Sequence, residues 1–191
     1  MFRNLEKYQV VLASNSPRRQ SLLKEMGLHF TVQSSQGEET YPGDLPASQV
    51  AEFLARQKAE WFTDFSTNQL YITADTVVIL GNEILGKPTE FDDAFSMIKK
   101  LSGKKHNVIT GVCIKSKEKE ISFSSVTEVH FKNLTNEAIS HYIKTYQPFD
   151  KAGAYGIQEW IGMVGIQKIN GSYFNVVGLP TERLFDELNK F

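Results

Sequence analysis

Five places in the chain put charge where local structure makes charge costly. Asp75 interrupts "LYITADTVVIL" (70–80), a run that otherwise reads as a β-strand. Aspartate is depleted in strands, and a buried carboxylate without a partner costs several kcal/mol or shifts its pKa. Asp75 therefore sits either at an exposed edge or turn, or at a cleft where it serves a metal or a proton transfer. Lys58 falls on the apolar stripe of a helix expected over residues 48–65, four residues after Leu54 and four before Phe62. Its ammonium either snorkels to water or points into a cleft toward an anion. Lys87 lies in "LGKP", where Gly86 leaves room for close approach of a ligand or backbone. Arg18 and Arg19 occupy the first turn of a helix, against its macrodipole. A helix N-terminus is also an anion site, and guanidinium groups beside it add bidentate phosphate contacts. Ser14, Asn15 and Ser16 add hydroxyl and amide groups there. Finally, Glu38 and Glu39 lie in a polar loop and gain meaning only if that loop borders Asp75, because converging carboxylates suit a hard divalent cation.

Taken together, these carboxylates and cations fit a multiply charged phosphate ester with a bound Mg²⁺ or Mn²⁺. Other chemistries lack their signatures. The four histidines have no metal-ligand spacing, and neither G-x-S-x-G nor G-x-G-x-x-G occurs.

The elements needed to position these groups are legible. "YQVVLAS" (8–14) reads as a buried strand, and Asn15 or Ser16 caps a helix that begins at Pro17 and ends at Gly27. A second strand is expected over 27–35, after which "QGEETYPGDLPAS" leads to the helix at 48–65. Gly81-Asn82 closes the strand at 70–80 with a tight turn. Thr89 with Asp92 resembles a capping box for a helix over 91–101. "HNVITGVCIKS" and "KEISFSSVTEVHFK" read as two long strands joined by a charged hairpin. Thr135 starts a helix bearing Ile139, Tyr142, Ile143 and Tyr146 on one face. A Gly-rich stretch, "DKAGAYGIQ", follows. Asn170-Gly171 gives a second hairpin signal, and Pro180 opens a last helix. Intermingled helices, strands and hairpins imply an α/β fold with a mixed sheet.

The chain has 191 residues, enough for one domain spanning 1–191 with a substantial core. A net charge of −1 gives no footprint for bulk nucleic-acid or membrane-surface binding. The single cysteine, Cys113, suits a reducing compartment. "MFRNLEKYQVVL" has no signal-peptide apolar region, and no stretch is long enough to span a bilayer. The expectation is a cytoplasmic protein acting without membrane or nucleic acid.

Seven blocks, "LASNSPRRQSLL", "EET", "ARQKAE", "ADTVV…GKP", "LSGKKHNVITGV", "DKAGAYGIQ" and "NGSYFNVVGLP", occur in the order found in the Maf family of nucleoside triphosphate pyrophosphatases. The chain resembles that family over about residues 10–188. The resemblance implies a fold like that of the inosine-triphosphate pyrophosphatases, with a long bent mixed sheet, flanking helices and a deep central cleft, commonly as a homodimer. It implies cleavage of a nucleoside triphosphate between the α- and β-phosphates with a divalent metal. By the same resemblance Asp75 matches a proton acceptor and metal-side acid, and Glu39 a metal-side acid, with the adjacent Glu38 as the competing alignment. Arg18, Lys58 and Lys87 match cations around the triphosphate, beside Ser14. Arg18, Thr76 and Gln158 match positions that mark a subgroup acting on dTTP and UTP. The Gln158 amide, donor and acceptor at once, suits a uracil or thymine edge. Two rivals remain open: a related enzyme acting on purine or modified triphosphates, and a protein that binds nucleotides without cleaving them.

Overall fold

A computed structural model describes residues 2–34, 37–63, 65 and 68–191. Seven strands, β1 (Gln9–Leu12), β2 (Thr31–Val32), β3 (Gln69–Leu80), β4 (Glu83–Leu85), β5 (Lys105–Lys115), β6 (Glu120–Phe131) and β7 (Ile166–Asn170), form one sheet. Their order is β2-β1-β3-β5-β6-β7, with β4 on β3. β1 pairs in parallel with β2 and β3, whereas β3/β4 and β6/β7 are antiparallel. Among the described residues the α-helices are α1 (Pro17–Glu25), α2 (Ala47–Glu60), α3 (Phe91–Leu101), α4 (Asn136–Tyr146), α5 (Trp160–Gly165), α6 (Tyr173–Val177) and α7 (Thr181–Asn189). The mixed α/β class expected from the sequence is the one found. Two compact units are distinguished within the chain.

The first unit comprises residues 1–75, 110–125 and 178–191. The Ser16 hydroxyl accepts from the Arg19 amide and caps α1, Pro17 takes the first helical position, and Gly27 ends the turn at φ 77°. Helix α2 ends at Glu60, short of the expected Phe65. Trp61 and Phe62 fold back onto the last turn, and Phe62 stacks on Tyr71 at 4.6 Å beside Val11 and Ala13. Asp64, within that expected helix, lies outside the described residues. The strand expected over 27–35 contracts to Thr31–Val32, both exposed; its last residue, Ser35, and Gln36 of the following loop lie outside the described residues. Gly111 of β5 runs directly against the backbone of Ala51 and Glu52 in α2, leaving no room for a Cβ. Nearby, Ala55 and Ala59 of α2 pack on Cys113, whose thiol burial pushes up to about 12, with Glu120 reinforcing the effect.

The second unit comprises residues 76–109 and 126–177. Gly81-Asn82 joins β3 to β4 as expected, with Gly81 at φ 63°. α3 has the expected bounds, and it and α4 bury Ala94, Ile98, Leu101, Ile139, Tyr142 and Ile143 in one core. Its start differs in detail: the Thr89 amide donates to Asp93 rather than pairing with Asp92, and Glu90 takes the N-cap position. The Thr135 hydroxyl caps α4 from the Ala138 amide. Asn170-Gly171 is not a strand-to-strand turn. Gly171, at φ 129°, leads instead into α6, whose Asn175 is buried and donates to Val108 O and Thr127 Oγ1.

Candidate active site

Within the first unit Asp75 and Glu39 meet at one of its cations, Lys58. β3 carries Asp75 just beyond its pairing with β1, and α2 carries Lys58 on the face that also buries Leu54 and Ala55. Lys58 is only 7% exposed, so it does not snorkel. Its ammonium lies 2.6 Å from Asp75 Oδ1 and 3.0 Å from Glu39 Oε1. Both carboxylates therefore converge on one point. Asp75 is largely covered (side chain 15% exposed), whereas Glu39 opens to solvent on its far side (44%). Between the adjacent acids, Glu39 makes this contact. The Gln57 side-chain amide grips the next residue from both sides, donating to Thr40 O at 2.9 Å and accepting from Thr40 N–H at 3.3 Å. Gly37 lies flat on the Trp61 ring, where a Cβ would clash. Helix α2 thus presents both Lys58 and the loop that supplies Glu39. In the sequence the one signal for Gln57 is an amide beside the inward lysine.

The paired arginines separate in role. Arg19 turns inward: its Nε donates to Gly178 O at 2.9 Å, and one terminal nitrogen donates to Ala74 O at 2.9 Å and to Ser14 Oγ at 3.4 Å. Burial weighs against its charge, and Asp75 is the first neighbouring charge to favour it. Arg19 is thus a strut between the start of α1, the residue before Asp75, and the segment before α7, not the free phosphate ligand expected of it. Ser14 is buried, and its hydroxyl also accepts from Ser16 N–H at 3.2 Å, which closes the small polar loop ahead of α1. Arg18 remains half-buried on the first turn of α1.

The second unit carries the other three predicted residues. Thr76, half-buried, follows Asp75 along β3. Lys87 is exposed just past β4. A Cβ on Gly86 would meet nothing within 4 Å, so no protein backbone presses on it; its carbonyl instead accepts from Gly153 N–H at 2.9 Å. Gln158 is exposed and lines an open pocket of about 390 Å³ with Ile157, Met163, Lys168 and Tyr173.

A divalent cation suits this donor set in a limited way. Among the described residues no three His, Cys, Asp or Glu side chains are grouped to hold an ion. Asp75 and Glu39 each give one oxygen to the Lys58 ammonium, so a hard cation would sit beside that ammonium on the same pair of carboxylates, with phosphate oxygens and water as its remaining ligands.

A family model described as "Maf-like protein" matches residues 9–191. A protein of Phocaeicola vulgatus named dTTP/UTP pyrophosphatase is 52% identical over 192 residues, covering 100% of both chains. Proteins bearing the same name from Flavobacterium psychrophilum and Bacteroides thetaiotaomicron are 49% identical (96% of this chain, 94% of the relative) and 45% identical (100% of both). A solved HAM1 protein from Coxiella burnetii shares the fold at TM-score 0.52 and 16% identity, covering 96% of this chain and 100% of that one.

Proposed function

The chain belongs to the Maf-like protein family, and on that premise we infer that it is a dTTP/UTP pyrophosphatase. It hydrolyses a pyrimidine nucleoside triphosphate between the α- and β-phosphates, giving a nucleoside monophosphate and pyrophosphate. The observation that carries the reading is the meeting of Asp75 and Glu39 at the Lys58 ammonium. A protein that only binds a triphosphate gains nothing from buried acid beside it, whereas a hydrolase needs both an acceptor for the proton of water and cations for the leaving group.

In this reading Asp75 accepts the proton of the attacking water as its oxygen bonds to the α-phosphorus and the bond to the bridging oxygen breaks. Lys58, hydrogen-bonded to Asp75, holds the carboxylate in orientation and neutralises phosphate charge. Arg18 and the N-terminus of α1 hold phosphate oxygens, with Ser14 shaping that loop. Lys87 serves the departing pyrophosphate. Thr76 and Gln158 read the pyrimidine, and Gln158 lines a pocket with room for a base. Asp75 and Glu39 would hold Mg²⁺ or Mn²⁺, which supplies Lewis-acid polarisation of the phosphate. The homodimer implied by the family resemblance is checked by light scattering. A cytoplasmic setting agrees with one buried thiol; among the described residues no helix is long and apolar enough to cross a membrane.

The test is a phosphate-release screen with added inorganic pyrophosphatase over dTTP, UTP, CTP, GTP and 7-methyl-GTP, with Mg²⁺ or Mn²⁺ titrated. Preference for dTTP and UTP is expected. Preference for a purine or for 7-methyl-GTP would remove the pyrimidine reading, and metal-dependent turnover of none would remove the enzyme.

A further inference from the structure

A second charged cluster, outside the acid–lysine group, underlies the loop that carries Gln158. Lys151 is 9% exposed, and its ammonium bridges Asp150 Oδ1 at 2.7 Å and Glu159 Oε1 at 3.1 Å. The other Glu159 oxygen accepts from the hydroxyl of Tyr142, a fully buried residue of α4. That hydroxyl in turn accepts from Gly156 N–H at 3.0 Å. Burial, and then the bond to Glu159, keep the Tyr142 hydroxyl protonated and so a donor. The loop between is conformationally demanding: Gly153 and Ala154 both have positive φ, and a Cβ on Gly156 would come 3.0 Å from a Glu159 oxygen. Glu159 is therefore gripped on both oxygens by groups anchored in the core, and its neighbour Gln158 is left exposed.

We propose that Glu159, held by Lys151 and Tyr142, is a positioning residue that fixes the Gln158 amide for reading the pyrimidine edge. The inference rests on Gln158 reading the base. A fixed amide loses less conformational freedom on binding than a mobile one, so the clamp acts on KM more than on kcat.

The test is a double-mutant cycle, Tyr142→Phe against Gln158→Ala, with KM and kcat measured for dTTP, UTP and CTP. Tyr142→Phe is expected to raise KM for dTTP and UTP about tenfold with kcat within about twofold, and to narrow their preference over CTP. Added to Gln158→Ala, it should change little, because the amide it positions is gone. Fully multiplicative effects, or an unchanged KM in a folded Tyr142→Phe protein, overturn the positioning role while leaving the pyrimidine reading intact. If Gln158→Ala leaves KM and base preference unchanged, the base-reading role falls and the inference with it. Should Tyr142→Phe fail to fold, Glu159→Gln, which keeps the side-chain shape, enters the same cycle with the same outcomes.

Discussion

The Lys58 ammonium lies 2.6 Å from Asp75 Oδ1, and the two residues reach each other from different elements, α2 and β3. Each would be costly alone in so covered a position, and each accounts for the other. Replacing Asp75 by Asn keeps the shape and removes the proton acceptor. Turnover of dTTP should fall by about 10²–10⁴-fold with an unchanged circular-dichroism spectrum. Turnover within a few-fold of wild type would refute the assigned role.

Lys58→Met leaves the two acids facing each other without their cation. Unfolding free energy should drop by about 3 kcal/mol, as for a broken buried pair. Adding Asp75→Asn should restore part of it. Denaturant titrations of the single and double variants measure both effects, and a double variant no more stable than Lys58→Met would deny the coupling.

Arg19→Lys retains the charge but cannot span Gly178 O and Ala74 O with one compact ammonium. Loss of one such charge-assisted bond, worth about 2 kcal/mol, should lower the melting temperature by about 4–8 °C. If the side chain instead served only phosphate, the ligand-free protein would melt unchanged and only KM would rise.

His106 is buried, its Nε2 lies 2.7 Å from the Tyr155 hydroxyl, and its Nδ1 has no partner among the described residues. Burial, with a smaller push from His130, brings its pKa down to about 4. The native protein thus refuses a proton that the unfolded chain takes up near pH 6.5. The stability contribution is complete above that pH and is lost as the pH falls toward 4, at up to about 1.4 kcal/mol per pH unit. Denaturant midpoints of wild type and His106→Gln across pH 4–7 should diverge in slope; parallel curves would show that His106 is not the group responsible.

Periodicity and capping made much of the fold legible. The polar start at Thr89 marked α3, although Asp93 rather than Asp92 meets its amide, and Thr135 marked the start of α4 because a hydroxyl there meets a free amide. Asn170-Gly171 misled, since the same dipeptide that closes hairpins can also lead from a strand into a helix when glycine adopts φ 129°. The helix through Lys58 was read too long because Phe62 and Phe65 continue the apolar pattern while packing on Tyr71 from outside the helix. In the candidate site, Asp75 and Lys58 stood out as charges in apolar settings. The choice of Glu39 over Glu38 did not, because neighbouring identical acids differ only in where the loop turns, and Gln57 fixes that from a different element. Tyr142 was legible as a core residue, but its meeting with Lys151 and Glu159 was not, for a related reason. A lysine in a Gly-rich loop looks solvated until α4 is known to pass beneath it.

The single thiol in this chain gives α2 a built-in gauge. Cys113 is packed against Ala55 and Ala59, three residues before and one after Lys58, and at a pKa of about 12 almost none of it is reactive thiolate near neutrality. Alkylation can proceed only when that helix lifts away. The labelling rate therefore reports how often the Lys58-bearing helix detaches, and how far a bound nucleotide holds it down, with no probe introduced.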